Sequence, residues 1–297
     1  MKSKKYVRWD ERLFQILSVS LVGITALICL LPFVMLVSGS LTSESYILRN
    51  GYPVIPMDFS LEAYEFLIKS WVKIARAYGN TLFITIVGTA LGLFLTAMTG
   101  YVLARKDFKW RNRFAYFFFF TTLFSGGLVP WYIVMNNLGM RNSLWSVIVP
   151  NLLSVFNILI MRNFMQSIPM EIIESGKIDG ANDFTIFLRL VLPVAKPALA
   201  TIGLFLALAY WNDWYHAMLF INKSELYPLQ YYLYDLLNSA ISMQKAMEGG
   251  SAANFMIIPT YSAKLAMTVI ATGPIILAYP FVQKYFIKGI TIGAVKG

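Results

Sequence analysis

Residues Phe14–Ser38 read FQILSVSLVGITALICLLPFVMLVS, 25 residues without one charged side chain. A helix rising 1.5 Å per residue needs about 20 mostly apolar residues to cross ~30 Å of hydrocarbon, so this stretch is long enough to span a bilayer. A secretory signal would show a shorter apolar core and a small-residue cleavage site, and Phe14–Ser38 is therefore read as a retained first span. The whole chain agrees: of 297 residues, 58% are hydrophobic and only 13% charged. Soluble domains carry roughly 25% charged residues, and a water-soluble fold could not hide so much apolar surface. Cys29 is the one cysteine and lies inside the apolar run, so an internal disulfide and a cysteine metal cluster are excluded; the thiol is read as a small buried hydrophobe.

Working outward, five further stretches qualify as spans: Thr81–Leu103, Phe114–Met135, Leu144–Ile160, Leu199–Ile221 and Leu265–Phe286. The fourth is the weakest, interrupted by Pro150, Asn151, Ser154 and Asn157. Gly126, Gly127 and Pro130 in the third, and Gly273, Pro274 and Pro280 in the sixth, predict kinks or close helix contacts. The expected architecture is an all-α membrane protein, one domain over 1–297. It has a cytoplasmic N-terminus at 1–13, a six-helix bundle at 14–286 and a cytoplasmic tail at 287–297.

Orientation follows from the basic residues. Seventeen of the 25 lysines and arginines fall on one side of such a bundle, including Lys2, Lys4, Lys5 and Arg8 at the start and Arg105–Arg113 after the second span. Eight fall on the other side, so the positive-inside rule places both termini in the cytoplasm. The formal net charge of +10 is then a topology signal and not a nucleic-acid footprint. Two long segments, Leu41–Gly79 and Asn222–Tyr261, face outward. Their mixture of aromatic, polar and small residues, as in Tyr227–Tyr234 and Glu248–Asn254, fits short helices that either receive a partner or only cap the bundle.

Between spans four and five, Ser167–Ala198 reads SIPMEIIESGKIDGANDFTIFLRLVLPVAKPA, too polar to span and too patterned for a simple loop. Ser167 is read as an N-cap, Pro169 as an early helical residue and Glu171 as the first-turn acid that the helix dipole favours. Ile172, Ile173 and Ile178 supply apolar anchors, and Gly180 stops the helix by taking positive φ. Asn182 or Asp183 caps a second helix over Phe184–Leu190, ended by Pro193. Ser175, Gly176, Gly180 and Ala181 are all small, which permits close approach of another backbone. An ordinary interfacial amphipathic helix is the alternative.

Glu174-Ser175-Gly176, Gly180 four positions on, nine residues, then Leu190-Val191-Leu192-Pro193 resembles the EAA motif of ABC importer permeases. Ser175, Gly176 and Leu190 depart from that pattern by small changes of size, whereas Ile178-Asp179-Gly180-Ala181 resembles the sugar-importer version. Gly79-Asn80, Tyr101-Val102-Leu103-Ala104-Arg105 and Trp211-Asn212-Asp213 extend the likeness to the MalG-like permeases of maltose-type transporters. The ending Gly289–Gly297, GITIGAVKG, resembles the subset handling large, often acidic oligosaccharides such as alginate or aldouronate fragments.

The resemblance implies a multi-pass subunit of the bacterial cytoplasmic (inner) membrane, with a coupling segment at 165–196. A second homologous permease chain, different from this one, two cytoplasmic ATPase subunits and an extracellular solute-binding protein are the implied partners. Glu171, Glu174, Ser175, Gly176, Asp179, Gly180, Ala181, Leu192 and Pro193 would then meet the ATPase. This chain itself would hold no cofactor, since Mg-ATP would bind the partner subunits only.

Asp213 is the acidic residue well inside a predicted span, about 24 Å along from Pro197 by the helical rise. Intramembrane carboxylates face a cavity, a partner or a pathway. Tyr210, Trp211, Asn212 and Trp214 beside it supply the aromatic faces and amides that suit sugar rings. An interfacial aromatic belt is the competing account for Trp214 and Tyr215. Asp213 could instead cap a kink or pair with a neighbouring helix, and His216 is read as structural. No phosphate-binding G-x-x-x-x-G-K-[ST] loop and no metal-ligand spacing occur in the sequence. An ion-driven secondary transporter would show inverted repeats and several intramembrane carboxylates, and a non-transporting scaffold is the other rival.

Overall fold

A computed structural model of the chain describes the backbone of residues 9–248 and 260–294. Lys2, Lys4, Lys5, Arg8, Lys296 and the Glu248–Asn254 stretch beyond its first residue lie outside the described residues. The helices, in order, are α1 (Trp9–Ser40), α2 (Glu44–Asn50), α3 (Glu62–Ile68), α4 (Trp71–Ala104) and α5 (Arg111–Leu123). There follow α6 (Leu128–Asn137), α7 (Trp145–Ile148), α8 (Val155–Gln166), α9 (Met170–Ile178) and α10 (Asp183–Ile186). The last are α11 (Leu192–Val194), α12 (Lys196–Trp211), α13 (Tyr215–Phe220), α14 (Leu229–Glu248) and α15 (Thr260–Ala294). Among the described residues the sole strand-like pairing is an isolated bridge between Thr42 and Phe59. The chain forms two compact units, Met1–Ser70 with Leu237–Gly273 and Trp71–Leu236 with Pro274–Gly297.

In the first unit, α1 exposes its apolar side chains along its length, a surface that water rejects and lipid accepts. Cys29 is exposed on that helix, against the expectation of a buried thiol, because none of the described residues packs over it. Ser43 caps α2 by accepting from the Tyr46 amide at 3.3 Å. Glu44, at the start of α2 and buried, reaches the beginning of α15. Its carboxylate accepts from the backbone amides of Thr260, Tyr261 and Ser262 at 3.0, 2.8 and 2.9 Å and from the Ser262 hydroxyl at 2.8 Å. The first amides of a helix have no partner within it and carry the positive end of its dipole, so a remote carboxylate serves as the cap.

The second unit is organised by α4. Its buried positions recur every three or four residues, and Gly88, Gly92, Thr96 and Gly100 fall at a spacing of four along one face. A Cβ on Gly88 would lie 2.5 Å from the Tyr210 ring of α12, and one on Gly100 would lie 2.6 Å from Met161 of α8. One on Gly92 would lie 3.0 Å from the Leu152 carbonyl. Absent side chains let α8 and α12 approach the α4 backbone, the close packing expected of membrane helices. A core of Ala97, Tyr101, Met161, Ile173, Phe187 and Ile202 lies at one end, and one of Ile84, Val147, Ile148, Tyr210 and Ile221 at the other.

Three continuous helices are long and apolar enough to cross a membrane, and three bent helix pairs raise the number to six if each is one span. The third predicted span is such a pair: α5 and α6 are bent by 115° across Phe124–Gly127, with Gly127 at φ +84°. The expected kink at the glycine pair is thus a full break. The fourth bends by 48° at the expected Pro150–Ser154 interruption. The third bent pair joins Asp183–Val194 to α12 at 86°, and the predicted fifth span is interrupted again at Asn212–Trp214 between α12 and α13. Of the segment Leu41–Gly79, expected to face outward, the last part from Trp71 belongs to α4.

Candidate functional site

The segment between α8 and α12 is helix, turn, helix, with three local corrections. Ser167 closes α8, its hydroxyl donating to the Phe164 carbonyl at 2.7 Å, and Pro169 takes the N-cap position of α9 at φ −56°, ψ 136°. No side chain caps the first-turn amides of α9; the Ile172 amide donates to the Pro169 carbonyl at 3.3 Å. Ile178 is 86% exposed and is no anchor; Ile173 lies in the core instead, and Ile172 is half-buried. Nor does Pro193 end the second helix. After α10, Phe187–Val191 is a π turn in which the Leu192 amide reaches back five residues to the Phe187 carbonyl, and α11 runs through Pro193 to Val194. The wider turn accommodates a proline whose missing donor would break an α-helical ladder.

Gly180 behaves as expected, at φ +77° and with open space about its Cα. The Ala181 amide donates to the Gly176 carbonyl at 2.9 Å and the Gly180 amide to the Lys177 carbonyl at 3.1 Å. That pair is a Schellman closure, which requires a left-handed residue at this point. Asn182, not Asp183, caps α10, its Oδ1 accepting from the Thr185 amide at 2.8 Å.

Gly176 faces inward: a Cβ there would lie 2.7 Å from Leu190 and 3.0 Å from Ile186, so its smallness seats α9 on the π turn of its own chain. Glu171, Glu174, Ser175, Asp179, Gly180 and Pro193 are exposed, and Ala181 and Leu192 half-buried. The segment therefore has an inner face built for packing and an outer face, with Ile178 at its tip, that none of the described residues covers.

Arg105, just past the end of α4, fastens this segment. Its guanidinium, 9% exposed, contacts both oxygens of Asp107, donates to Asp183 Oδ1 at 2.7 Å and donates to the Tyr101 hydroxyl at 2.8 Å. Lys177 of α9 reaches Asp107 Oδ2 at 3.2 Å. The Arg105 contact, helped by Lys177, holds the Asp107 carboxyl well below the usual carboxylate range; Asp107 in turn raises Arg105 further above its ordinary value. In the sequence Arg105 stands as a basic residue after span two and as the end of the Tyr101–Arg105 likeness, and not as a clamp, because its partner Asp183 lies 78 positions away.

At the other end of the unit, Asp213 sits in the break between α12 and α13, with a side chain 6% exposed. Oδ1 accepts from the His216 amide at 3.1 Å, and Oδ2 accepts from His216 Nδ1 at 2.6 Å and Asn151 Nδ2 at 2.7 Å. The carboxylate thus caps a helix start and joins the Pro150 interruption to it. Trp131 stacks edge-on against His216 at 5.2 Å. Tyr210 is buried, its hydroxyl donating to the Ile148 carbonyl at 2.9 Å, and Trp211 is buried near Tyr78. Asn212 and Trp214 are exposed: the Asn212 carbonyl accepts from Gln230 at 3.4 Å. Trp214 opens a row of rings through Tyr234, Tyr231 and Tyr227, with centroids 4.9, 6.4 and 4.5 Å apart. Of the residues grouped by sequence, Asn212 and Trp214 are open to a solute, while Tyr210, Trp211 and Asp213 are occupied by the bundle. The tyrosine row escaped notice as a unit: Tyr231 and Tyr234 stand three apart on α14, but Tyr227 joins them from the extended chain before it.

Comparison with known proteins agrees with this architecture. Residues 88–292 match the family described as binding-protein-dependent transport system inner membrane component. The chain is 40% identical over 286 residues to Protein LplC of Bacillus subtilis, covering 96% of each. It is 39% identical over 288 residues to the polygalacturonan/rhamnogalacturonan transport system permease protein YtcP of the same organism, covering 97% of this chain and 99% of that one. A crystal structure of a bacterial ABC transporter involved in import of the acidic polysaccharide alginate contains a chain that superposes with TM-score 0.78 at 30% identity, covering 95% of this chain and 100% of the other. By family match and fold together, the chain belongs to the inner membrane components of binding-protein-dependent transport systems, the permease subunits of ABC importers.

Proposed function

We propose that this permease forms half of the pathway for an acidic oligosaccharide and receives its driving force at the outer face of α9. The observation that carries the proposal is the division of α9 into two faces. Gly176, Ile173 and Lys177 tie it to the bundle, while Glu174, Ser175, Ile178 and Gly180 project from it uncovered. A cytoplasmic ATPase groove receiving that outer face would move the bundle without melting it, as rigid-body alternating access demands. A second permease chain would complete the pore, and an extracellular binding protein would deliver the sugar. Both termini would then be cytoplasmic. Similarity to permeases and an importer of acidic polysaccharides supports the sugar class, and the exposed Trp214–Tyr227 ring row with Asn212 offers stacking faces beside an amide.

The test is Gly180→Arg against Gly180→Asn in the reconstituted complex. Asparagine tolerates positive φ and adds little bulk, whereas arginine fills the open space at the tip. Oligogalacturonate uptake should survive Asn and be abolished by Arg, with membrane insertion unchanged in both. Uptake by the arginine variant at the unaltered rate would place the ATPase contact elsewhere.

A further inference from the structure

Beside the inner face of α9 is a cavity of about 300 Å³ lined by Arg105, Lys106, Arg111 and Arg162, with no acidic residue in its wall. Arg105 is spent on Asp107 and Asp183. Lys106, Arg111 and Arg162 make no ion pair among the described residues. Arg111 donates only to the Arg105 carbonyl at 3.4 Å and Arg162 only to Asn112 at 3.5 Å, while the Nε of Arg162 is buried with no partner. Three cations converging on one recess repel one another, and a buried guanidinium nitrogen without an acceptor is costly, so the recess is complementary to an anion.

The shape narrows the class. Asn112 and Arg162 also line a second cavity of about 300 Å³, whose remaining wall is Ala115, Tyr116, Phe119 and Leu159, between α5 and α8. The cationic recess therefore continues into an apolar slot that follows two membrane helices. A soluble anion has no use for that slot. We infer that the recess and slot together bind one anionic phospholipid, its phosphodiester between Lys106, Arg111 and Arg162 and an acyl chain along Ala115, Phe119 and Leu159. Basic pockets between helices at the cytoplasmic face suit such headgroups. Met170 and Ile173 of α9 form part of the same wall, so the lipid would touch the element that takes the ATPase.

The experiment is native mass spectrometry of the intact transporter extracted from nanodiscs of phosphatidylcholine containing phosphatidylglycerol. One phosphatidylglycerol should be retained per copy of this chain, in preference to phosphatidylcholine. Each cation near a lipid surface is worth roughly fivefold in affinity, so Arg111→Gln with Arg162→Gln should weaken retention about 30-fold. Lys106→Gln, at an exposed position that leaves the fold alone, should weaken it about fivefold. Leu159→Trp, which blocks the slot without touching charge, should also release the lipid. Retention unaffected by Lys106→Gln and the double variant would overturn the site. Displacement by soluble glycerol phosphate, or indifference to Leu159→Trp, would make it a free-phosphate site and overturn the lipid assignment. None of these readouts depends on transport or ATP turnover.

Discussion

Replacing Arg105 by glutamine isolates the bond between α4 and the α9 segment. Breaking a buried ion pair costs about 3–5 kcal/mol when the abandoned partner stays buried. Here Asp107 and Asp183 are 43% and 67% exposed, so water solvates both once the guanidinium is gone. Screening on the acid side reduces the loss to that of hydrogen bonds to a charge, about 2 kcal/mol in all. That energy belongs to local opening and not to global unfolding, because the Gly176 and Ile173 packing remains. At 1.4 kcal/mol per decade, amides of α9 should exchange with deuterium roughly 30-fold faster, while those of α4 around Gly92 keep their protection. Arg105→Lys, which keeps the charge but not the fork, should fall between. The acid limb gives a second reading of the same bond. Asp107 titrates lower in the folded chain than in the unfolded one, so its contribution is complete above its unfolded value near 4 and is lost as pH falls below that. Protection of α9, corrected for intrinsic exchange, should therefore be flat from about pH 8 to 5 and decline only below about pH 4. Unchanged α9 exchange in Arg105→Gln, or a loss spread evenly over α4, would refute the assignment of Arg105 as the fastener.

Two other substitutions follow from the packing. Gly88→Val drives a branched side chain into the Tyr210 ring, 2.5 Å from the built Cβ, and should destabilise by about 1–3 kcal/mol in detergent melts, with Tyr210→Leu in the same chain restoring part of it. Glu44→Ala removes the acceptor of three helix-start amides and should cost about 3 kcal/mol, with Glu44→Gln losing less because one carbonyl remains; limited proteolysis near Thr260 is the local readout.

What could be read from the sequence was local. Gly180 was legible because only glycine closes a Schellman turn cheaply, and the Gly126-Gly127 and Pro150 interruptions because they break helices wherever they stand. Ser167 was misread because its hydroxyl serves equally well behind a helix as before one, and Pro169, two residues on, takes the N-cap position instead. Pro193 misled because a π turn two residues upstream is not written in composition. Gly176 was legible as small, but whether a small residue admits a partner or its own chain depends on Leu190, fourteen positions on. Asp213 was legible as a buried carboxylate with a task, and its donors Asn151 and His216 turn that task toward holding the helix break. Arg105 and Glu44 were not legible as clamps, since their partners lie 78 and more than 200 positions away.

These contacts decide how a push on α9 would travel. α4 has 34 residues, about 50 Å at 1.5 Å each, and is fixed along its whole length. At the α9 end Arg105 holds Asp183 and, through Asp107, Lys177. In the middle Gly88, Gly92 and Gly100 leave no space between its backbone and α8 or α12. At the far end Asn80 donates to the carbonyls of Glu225 and Tyr227 at 2.9 and 3.1 Å, and the Thr81 hydroxyl accepts from the Leu229 amide at 2.7 Å. A close-packed interior does not compress to absorb a displacement. Motion entering at α9 would therefore carry α4, α8 and α12 as one body to the Asn212–Trp214 break and the aromatic row beyond it. The 86° bend at buried Ala195 and the Asn212–Trp214 break, held by Asp213 with Asn151 and His216, are both pinned; the exposed break at Phe124–Gly127 is where the chain has freedom to bend.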